Sequence, residues 1–161
     1  MSNVNLMVPF CRTPEEGRQV LELLRENGLE PGKNGLQLYV MTEIPSNFIL
    51  AEEFARLFDG FSIGSNDLTQ LVLGLDRDSE LVGHLFDERH AAVKKLIQEL
   101  VIVARTYRRR VGICGQAPSD LPDFAAFLVE CGLDYLSINP DSVIKTKLVV
   151  AAQEKVLGIA P

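Results

Sequence analysis

Gly60-Phe-Ser-Ile-Gly-Ser-Asn-Asp-Leu-Thr-Gln70 reads as a strand, a sharp turn and the start of a helix. Phe61 and Ile63 form a short apolar run with strand character between Gly60 and Gly64. Gly64-Ser-Asn-Asp67 then supplies four small or polar residues that turn tightly and offer backbone N–H groups, and an apolar, helix-like stretch follows. A strand that stops at such a turn leaves an anion-binding backbone and a carboxylate at its carboxyl end, where α/β proteins bind ligands. The competing reading is that Asn66 and Asp67 only cap the helix.

The same grammar recurs on both sides. Upstream, Leu36-Gln-Leu-Tyr-Val-Met41 reads as a strand ending in Thr42-Glu43-Ile44-Pro45, with a helix from about Ser46 that buries Phe48, Ile49, Leu50, Phe54, Leu57 and Phe58. Further upstream, Leu6 to Phe10 is a strand interrupted by Pro9. Thr13 is the expected N-cap of the next helix, with Pro14 first in the helix and Glu16 closing a capping box. Val20, Leu21, Leu23 and Leu24 form its buried stripe, and Asn27-Gly28 ends it. Downstream, a polar segment (Asp76 to Ser79) precedes a long helix from about Ala91 to Tyr107, with Val93, Leu96, Ile97, Leu100, Val101 and Val103 inward. Arg108 to Arg110 read as a solvated run that opposes the helix dipole. Val111 to Gln116 is a fourth strand, Ala117 to Asp120 a turn, and Leu121 to Cys131 a helix closed by Gly132. Leu133 to Ile138 is a fifth strand, and Val143, Ile144, Leu148, Val149 and Val150 lie on the last helix.

Five βα units with short turns imply an α/β fold with a parallel sheet buried on both faces. Neither G-x-G-x-x-G nor a P-loop occurs. Each strand instead ends in a chemically capable group: Arg12, Glu43, Asn66 with Asp67, Cys114 and Asn139. In a (β/α)8 barrel such ends converge on one active face. Five units therefore leave two choices, an open doubly wound sheet or the C-terminal part of a barrel.

Composition narrows the function. The 161 residues, 47% of them hydrophobic, suffice for one core, so residues 1–161 are expected to form a single domain. A net charge of −6 argues against a nucleic-acid partner, because phosphate binding needs a basic surface. Cys11, Cys114 and Cys131, three cysteines without close spacing, suggest a reducing compartment and no disulfide framework. No membrane-length apolar run or signal-peptide pattern is present, so a cytoplasmic location with no membrane contact is expected.

Glu43 and Asp67 are the two carboxylates on strand ends, a donor pair suited to a hard divalent cation such as Mg²⁺, with helix capping or a surface ion pair as the competing reading for each. Cys114, after Val-Gly-Ile and before Gly115, reads as a small buried hydrophobe or, from its place at a strand end, as a thiol that can exchange a proton with carbon. Arg77 follows Asp67 closely enough to fold back over the site, and its guanidinium suits phosphate. Cys11, Cys131, His84 and His90 read as structural.

At these residues the chain resembles the C-terminal PEP/pyruvate-binding domain of the PEP-utilising enzymes. That family includes the phosphoenolpyruvate synthases, pyruvate phosphate dikinase and enzyme I of the sugar phosphotransferase system. The match is carried by Met41-Thr-Glu-Ile-Pro-Ser46, Gly60 to Gln70, Leu73-Gly-Leu-Asp-Arg-Asp-Ser79, His84-Leu-Phe-Asp-Glu-Arg89, Gly112-Ile-Cys-Gly-Gln116 and Pro118-Ser-Asp120. The spacings also fit: Glu43 and Asp67 are 24 residues apart, Asp67 and Cys114 47. Gly-Ser-Asn-Asp and Cys-Gly-Gln look like the synthase branch.

The resemblance implies the last five βα units of a (β/α)8 TIM-type barrel, incomplete as given. It implies that Glu43 and Asp67 bind Mg²⁺. Glu43, Asp67, Gly64, Ser65 and Asn66 would contact pyruvate or PEP, Arg77 the phosphate, and Cys114 would be catalytic at the methyl or methylene carbon. The family reaction, a step of gluconeogenesis, turns ATP, pyruvate and water into AMP, PEP and phosphate through a phosphohistidine on a mobile domain. The ATP-binding domain, the phosphohistidine domain and the first three barrel strands have no counterpart here. The chain is therefore expected to look to them as partners, to lack the ATP-dependent reaction alone, and to self-associate as a homo-oligomer through unpaired sheet edges. Two other functions compete: a non-catalytic ligand-binding or oligomerisation module, and an independent Mg²⁺-dependent pyruvate-enolate lyase.

Overall fold

A computed structural model describes residues 4–159. Five parallel strands, β1 (Asn5–Val8), β2 (Gln37–Thr42), β3 (Gly60–Gly64), β4 (Arg110–Cys114) and β5 (Tyr135–Leu136), form one sheet in sequential order. A doubly wound sheet reverses direction at a switch point. This one never does, so its winding is that of a barrel segment. Right-handed crossovers that always step the same way set the helices on one face. They are α1 (Pro14–Glu26), α2 (Pro45–Ile49), α3 (Ala51–Leu57), α4 (Ser65–Leu73), α5 (Ala91–Thr106), α6 (Ala117–Asp120), α7 (Pro122–Cys131) and α8 (Val143–Leu157). Along that face α1 packs on α3, α3 on α5, α5 on α7 and α7 on α8.

Strand alternation divides the residues between the two sides. Leu38, Val40, Phe61, Ile63, Val111 and Ile113 point into the core with Phe54, Phe58, Ile97, Leu100, Phe124 and Leu128 from the helices. The other side carries Asn5, Met7, Tyr39, Met41, Ser62, Arg110, Cys114 and Tyr135, aligned by the pairings Met7 with Tyr39, Met41 with Ser62, and Gly64 with Cys114. The expectation of a sheet buried on both faces is corrected here. Among the described residues no helix layer covers this second, concave face, and Asn5, Met7 and Arg110 stand exposed on it. Tyr39 and Tyr135 lie across it, ring centroids 6.3 Å apart and inclined at 75°.

Several local expectations also change. The helix expected from Ser46 is two helices, broken where Leu50 adopts φ −104° and ψ 29°. Ile49, read as buried, falls on the outside of that break and is 77% exposed. Leu23 is exposed because two helical residues rotate it about 200° away from the buried Leu21. Thr13 does cap α1, its Oγ1 accepting from the Glu16 N–H at 3.1 Å, but Glu16 reaches the Arg12 N–H rather than closing on Thr13. The segment read as a turn at Ala117–Asp120 is a helical turn, and β5 pairs over only two residues. Nor is the arginine run wholly solvated: Arg109 Nε donates to the Ala55 carbonyl at 2.7 Å. Exposed Ile144, Leu148 and Val156 line α8, where only Thr146 is buried.

Candidate functional site

Parallel strands bring their carboxyl ends to one edge of the sheet, and the loops leaving β2, β3 and β4 meet there. Glu43 follows β2 and is 4% exposed. Its backbone is fixed by Asn47, a fully buried amide whose Oδ1 accepts from the Glu43 and Ile44 N–H groups and whose Nδ2 donates to the Cys11 carbonyl. Its side chain is held at one oxygen: Oε1 accepts from the Phe10 N–H at 2.7 Å. The other oxygen faces β3. A Cβ on Gly64 would stand 2.8 Å from both Glu43 Cβ and Oε2, so the approach requires glycine there. Burial pushes the Glu43 carboxyl up; the Phe10 N–H offsets this and the charge of Asp67 adds to it.

Gly64 is the N-cap of α4, and no side chain caps that helix. Asn66 and Asp67 are therefore not cap residues. Asp67 lies in the first turn of α4, where the helix dipole favours negative charge. Ser65 donates to the Cys114 carbonyl at 3.3 Å, joining the turn after β3 to the end of β4.

Cys114 is half-buried, with its sulfur in a polar and polarisable nest. Ser62 Oγ donates to Sγ at 3.8 Å, and the thiol faces Met41 Sδ and the Ile63 carbonyl, each at 3.6 Å. Burial is the main cause that raises the thiol above its ordinary value. The Ser62 hydroxyl opposes the rise, and the charges of Glu43 and Asp67 both reinforce it. The resting side chain is a thiol. By contrast Cys131, pushed up to about 11 by burial, lies on α7, and Cys11 is in the core.

Arg77 does fold back. With the Asn66 carboxamide oriented to satisfy both its ends, Oδ1 accepts from Arg77 Nη1 at 3.1 Å and Nδ2 donates to Glu88 Oε1 at 3.2 Å. Glu43, Gly64, Ser65, Asn66, Asp67, Arg77 and Cys114 thus gather at the carboxyl edge of the sheet. Arg12 does not join them; its guanidinium is exposed beside Glu16. Asn139 is exposed as well. His90 is structural, its Nδ1 capping α5. Sequence reasoning singled out neither Asn47, Ser62 nor Glu88. Glu88 lies inside the quoted stretch His84 to Arg89, and the alternation of β3 puts Ser62 on the face opposite Phe61 and Ile63. Nothing in the sequence marked Asn47.

Among the described residues no cluster of three or more His, Cys, Asp or Glu is poised to hold a metal. The pair Glu43 and Asp67 nevertheless fits a hard divalent cation. Its members lie within each other's electrostatic reach, and the Glu43 oxygen not bonded to Phe10 is turned toward the glycine gap.

Solved structures share this winding of strands and helices. The chain superposes on an HpcH/HpaI aldolase from Desulfitobacterium hafniense DCB-2 with a TM-score of 0.61 at 14% identity, covering 98% of this chain and 64% of that one. An HpcH/HpaI aldolase/citrate lyase family protein from Burkholderia cenocepacia J2315 gives 0.62 at 18% identity, covering 96% and 64%. These likenesses fix the fold alone. The sequence fixes the family: the model described as PEP-utilising enzyme, PEP-binding domain matches residues 1–155, and the chain belongs to that family. It is 64% identical over 159 residues to the phosphoenolpyruvate synthase of Aquifex aeolicus (strain VF5), covering 99% of this chain and 19% of the relative. The phosphoenolpyruvate synthase of Escherichia coli (strain K12) is 54% identical over 155 residues, with 96% and 20% covered. The chain thus spans about a fifth of the length of these relatives.

Proposed function

We propose that this chain is the PEP/pyruvate-binding segment of a phosphoenolpyruvate synthase, a pyruvate, water dikinase working in the cytoplasm in gluconeogenesis. One observation carries the reading: the ends of β2, β3 and β4 meet closely, with Glu43 Oε2 2.8 Å from where a Cβ on Gly64 would stand and Gly64 paired with Cys114. Glu43 and Asp67 would hold Mg²⁺, which when bound supplies positive charge to polarise the oxygens of a 2-oxo acid. Asn66 and the backbone of Gly64 and Ser65 orient the acid, and Arg77 receives the phosphate. Cys114 moves a proton at the methyl carbon. In the direction of PEP synthesis the thiol first gives its proton to solvent; the thiolate then takes one methyl proton, and the electron pair left on carbon delocalises onto the 2-oxo oxygen. That oxygen takes the phosphoryl group from a phosphohistidine carried elsewhere in the full-length enzyme. In the reverse direction the resting thiol gives its proton back to the methylene carbon. Ser62, donating to Sγ, supports the sulfur when it is charged.

Proton exchange tests this. The chain with Mg²⁺ and pyruvate in heavy water is expected to replace the methyl protons by deuterium, read by proton NMR, and Cys114→Ala is expected to abolish the exchange. Exchange that survives Cys114→Ala refutes the role of the thiol. A chain that binds no pyruvate refutes the site. The unpaired edges of β1 and β5 support the further reading that the chain self-associates or is completed by other strands. Light scattering that finds a compact monomer counts against it.

A further inference from the structure

Glu88 is 5% exposed and sits in the loop before α5, outside the residues given a role above. Its surroundings are almost all donors. Asn66 Nδ2 reaches Oε1 at 3.2 Å, and the Ser65 hydroxyl, the Ala117 N–H and the charge of Arg77 each favour the ionised form of the carboxyl. Burial, the largest influence, and the carboxylate of Asp120 act the other way and leave the carboxyl raised above its ordinary value. The room for this arrangement comes from Gly115. With φ at +146°, a Cβ there would lie 2.0 Å from Ser65 Oγ and 3.4 Å from Glu88 Oε1. One carboxylate therefore ties the turn after β3 to the turn after β4, and through Asn66 it reaches Arg77.

Resting on the functional reading above, we propose that Glu88 is a positioning residue whose buried carboxylate fixes the Asn66 carboxamide, and through it the Arg77 guanidinium, for the three-carbon acid. The Asn66 amide is otherwise symmetric enough to turn over. Held with nitrogen toward Glu88 and oxygen toward Arg77, it has one orientation, and the arginine has one place to rest. A neutral amide in place of Glu88 keeps one accepting oxygen but carries no charge, and if that oxygen meets Asn66 its NH2 is turned toward the Ala117 N–H, so it holds the carboxamide less firmly.

The test compares the whole chain, wild type, with Glu88→Gln and Glu88→Asp, using ¹⁵N NMR of the Asn66 side chain without ligand and titration of pyruvate in the presence of Mg²⁺. In Glu88→Gln the Asn66 Nδ2 proton pair is expected to collapse to the shifts of a free carboxamide. Pyruvate is expected to bind at least about tenfold more weakly, while Mg²⁺ binding stays within about twofold. Glu88→Asp, with the carboxylate withdrawn by one methylene, is expected to restore part of both; a merely structural loss would not follow the charge. Should Glu88→Gln fail to fold, Glu88→Asp carries the comparison alone. An Asn66 pair and a pyruvate affinity unchanged in a folded Glu88→Gln overturn the proposal. A wild-type chain that binds no pyruvate while its Asn66 amide still responds supports the positioning contact and overturns the functional reading instead.

Discussion

Replacing Gly64 by alanine isolates the closest approach in the site. The backbone of Gly64 (φ −87°, ψ 83°) is one that alanine tolerates, so the whole cost comes from what the new methyl meets. It would stand 2.8 Å from both Glu43 Cβ and Oε2, and 3.5 Å from Met41 Cγ. Carbon atoms in contact prefer about 3.5–4.0 Å, so a shift of roughly 0.7 Å or more is required. Glu43 has nowhere easy to go. Its Cβ is set by a backbone bonded to Asn47, and swinging the carboxylate away strains the 2.7 Å bond from the Phe10 N–H. Overpacking of this kind costs about 1–3 kcal/mol. In a chain of this size that lowers the melting temperature by roughly 2–10 °C. The same displacement turns Oε2 from its position and is expected to weaken Mg²⁺ binding. Melting by circular dichroism and Mg²⁺ titration by calorimetry read the two effects separately. A Gly64→Ala chain with unchanged melting and unchanged Mg²⁺ affinity would show that the strand ends are not tightly apposed.

Other outcomes follow from single contacts. Glu43 and Glu88 both have carboxyls raised by burial, so the folded state holds their protons more tightly than the unfolded chain does. Their contribution is fully present at acid pH, falls as pH climbs out of the ordinary glutamate range through the raised folded values, and is flat above them. Melting followed across that window should drop less in Glu43→Gln than in wild type. Because burial raises all three thiols, a disulfide reagent at neutral pH should modify the folded chain slowly and the denatured chain fast. Phe54→Ala removes a fully buried ring stacked on Phe58 and should cost about 3–5 kcal/mol by urea denaturation. Thr13→Ala removes the oxygen that accepts from the Glu16 N–H and should cost about 1 kcal/mol, with the site unaffected.

The fold was legible where period and punctuation agreed. Phe61 and Ile63 alternate with Ser62, and glycines bracket them, so both the strand and its buried face could be read. The choice between barrel segment and doubly wound sheet could not, because strand order depends on which way each crossover steps, and helix periodicity is the same either way. The break at Leu50 was hidden because an apolar run looks alike in one helix or two. The site was legible as a set of strand-end groups, and the motif spacings joined them. The supporting residues were not. Glu88 acts on Asn66 across the site, and Asn47, besides accepting locally from the Glu43 and Ile44 N–H groups, reaches the Cys11 carbonyl across the sheet; no local pattern records such long-range partners.

The chain has three tyrosines and no tryptophan. Two of those tyrosines, Tyr39 and Tyr135, meet edge to face on the side of the sheet that no helix among the described residues covers, while Tyr107 is turned toward Glu52 on the opposite layer. The intrinsic ultraviolet emission of the molecule is thus weighted toward the inner wall. Whatever comes to lie against that wall, a further strand, a second copy or a small acid, announces itself in the fluorescence without any label.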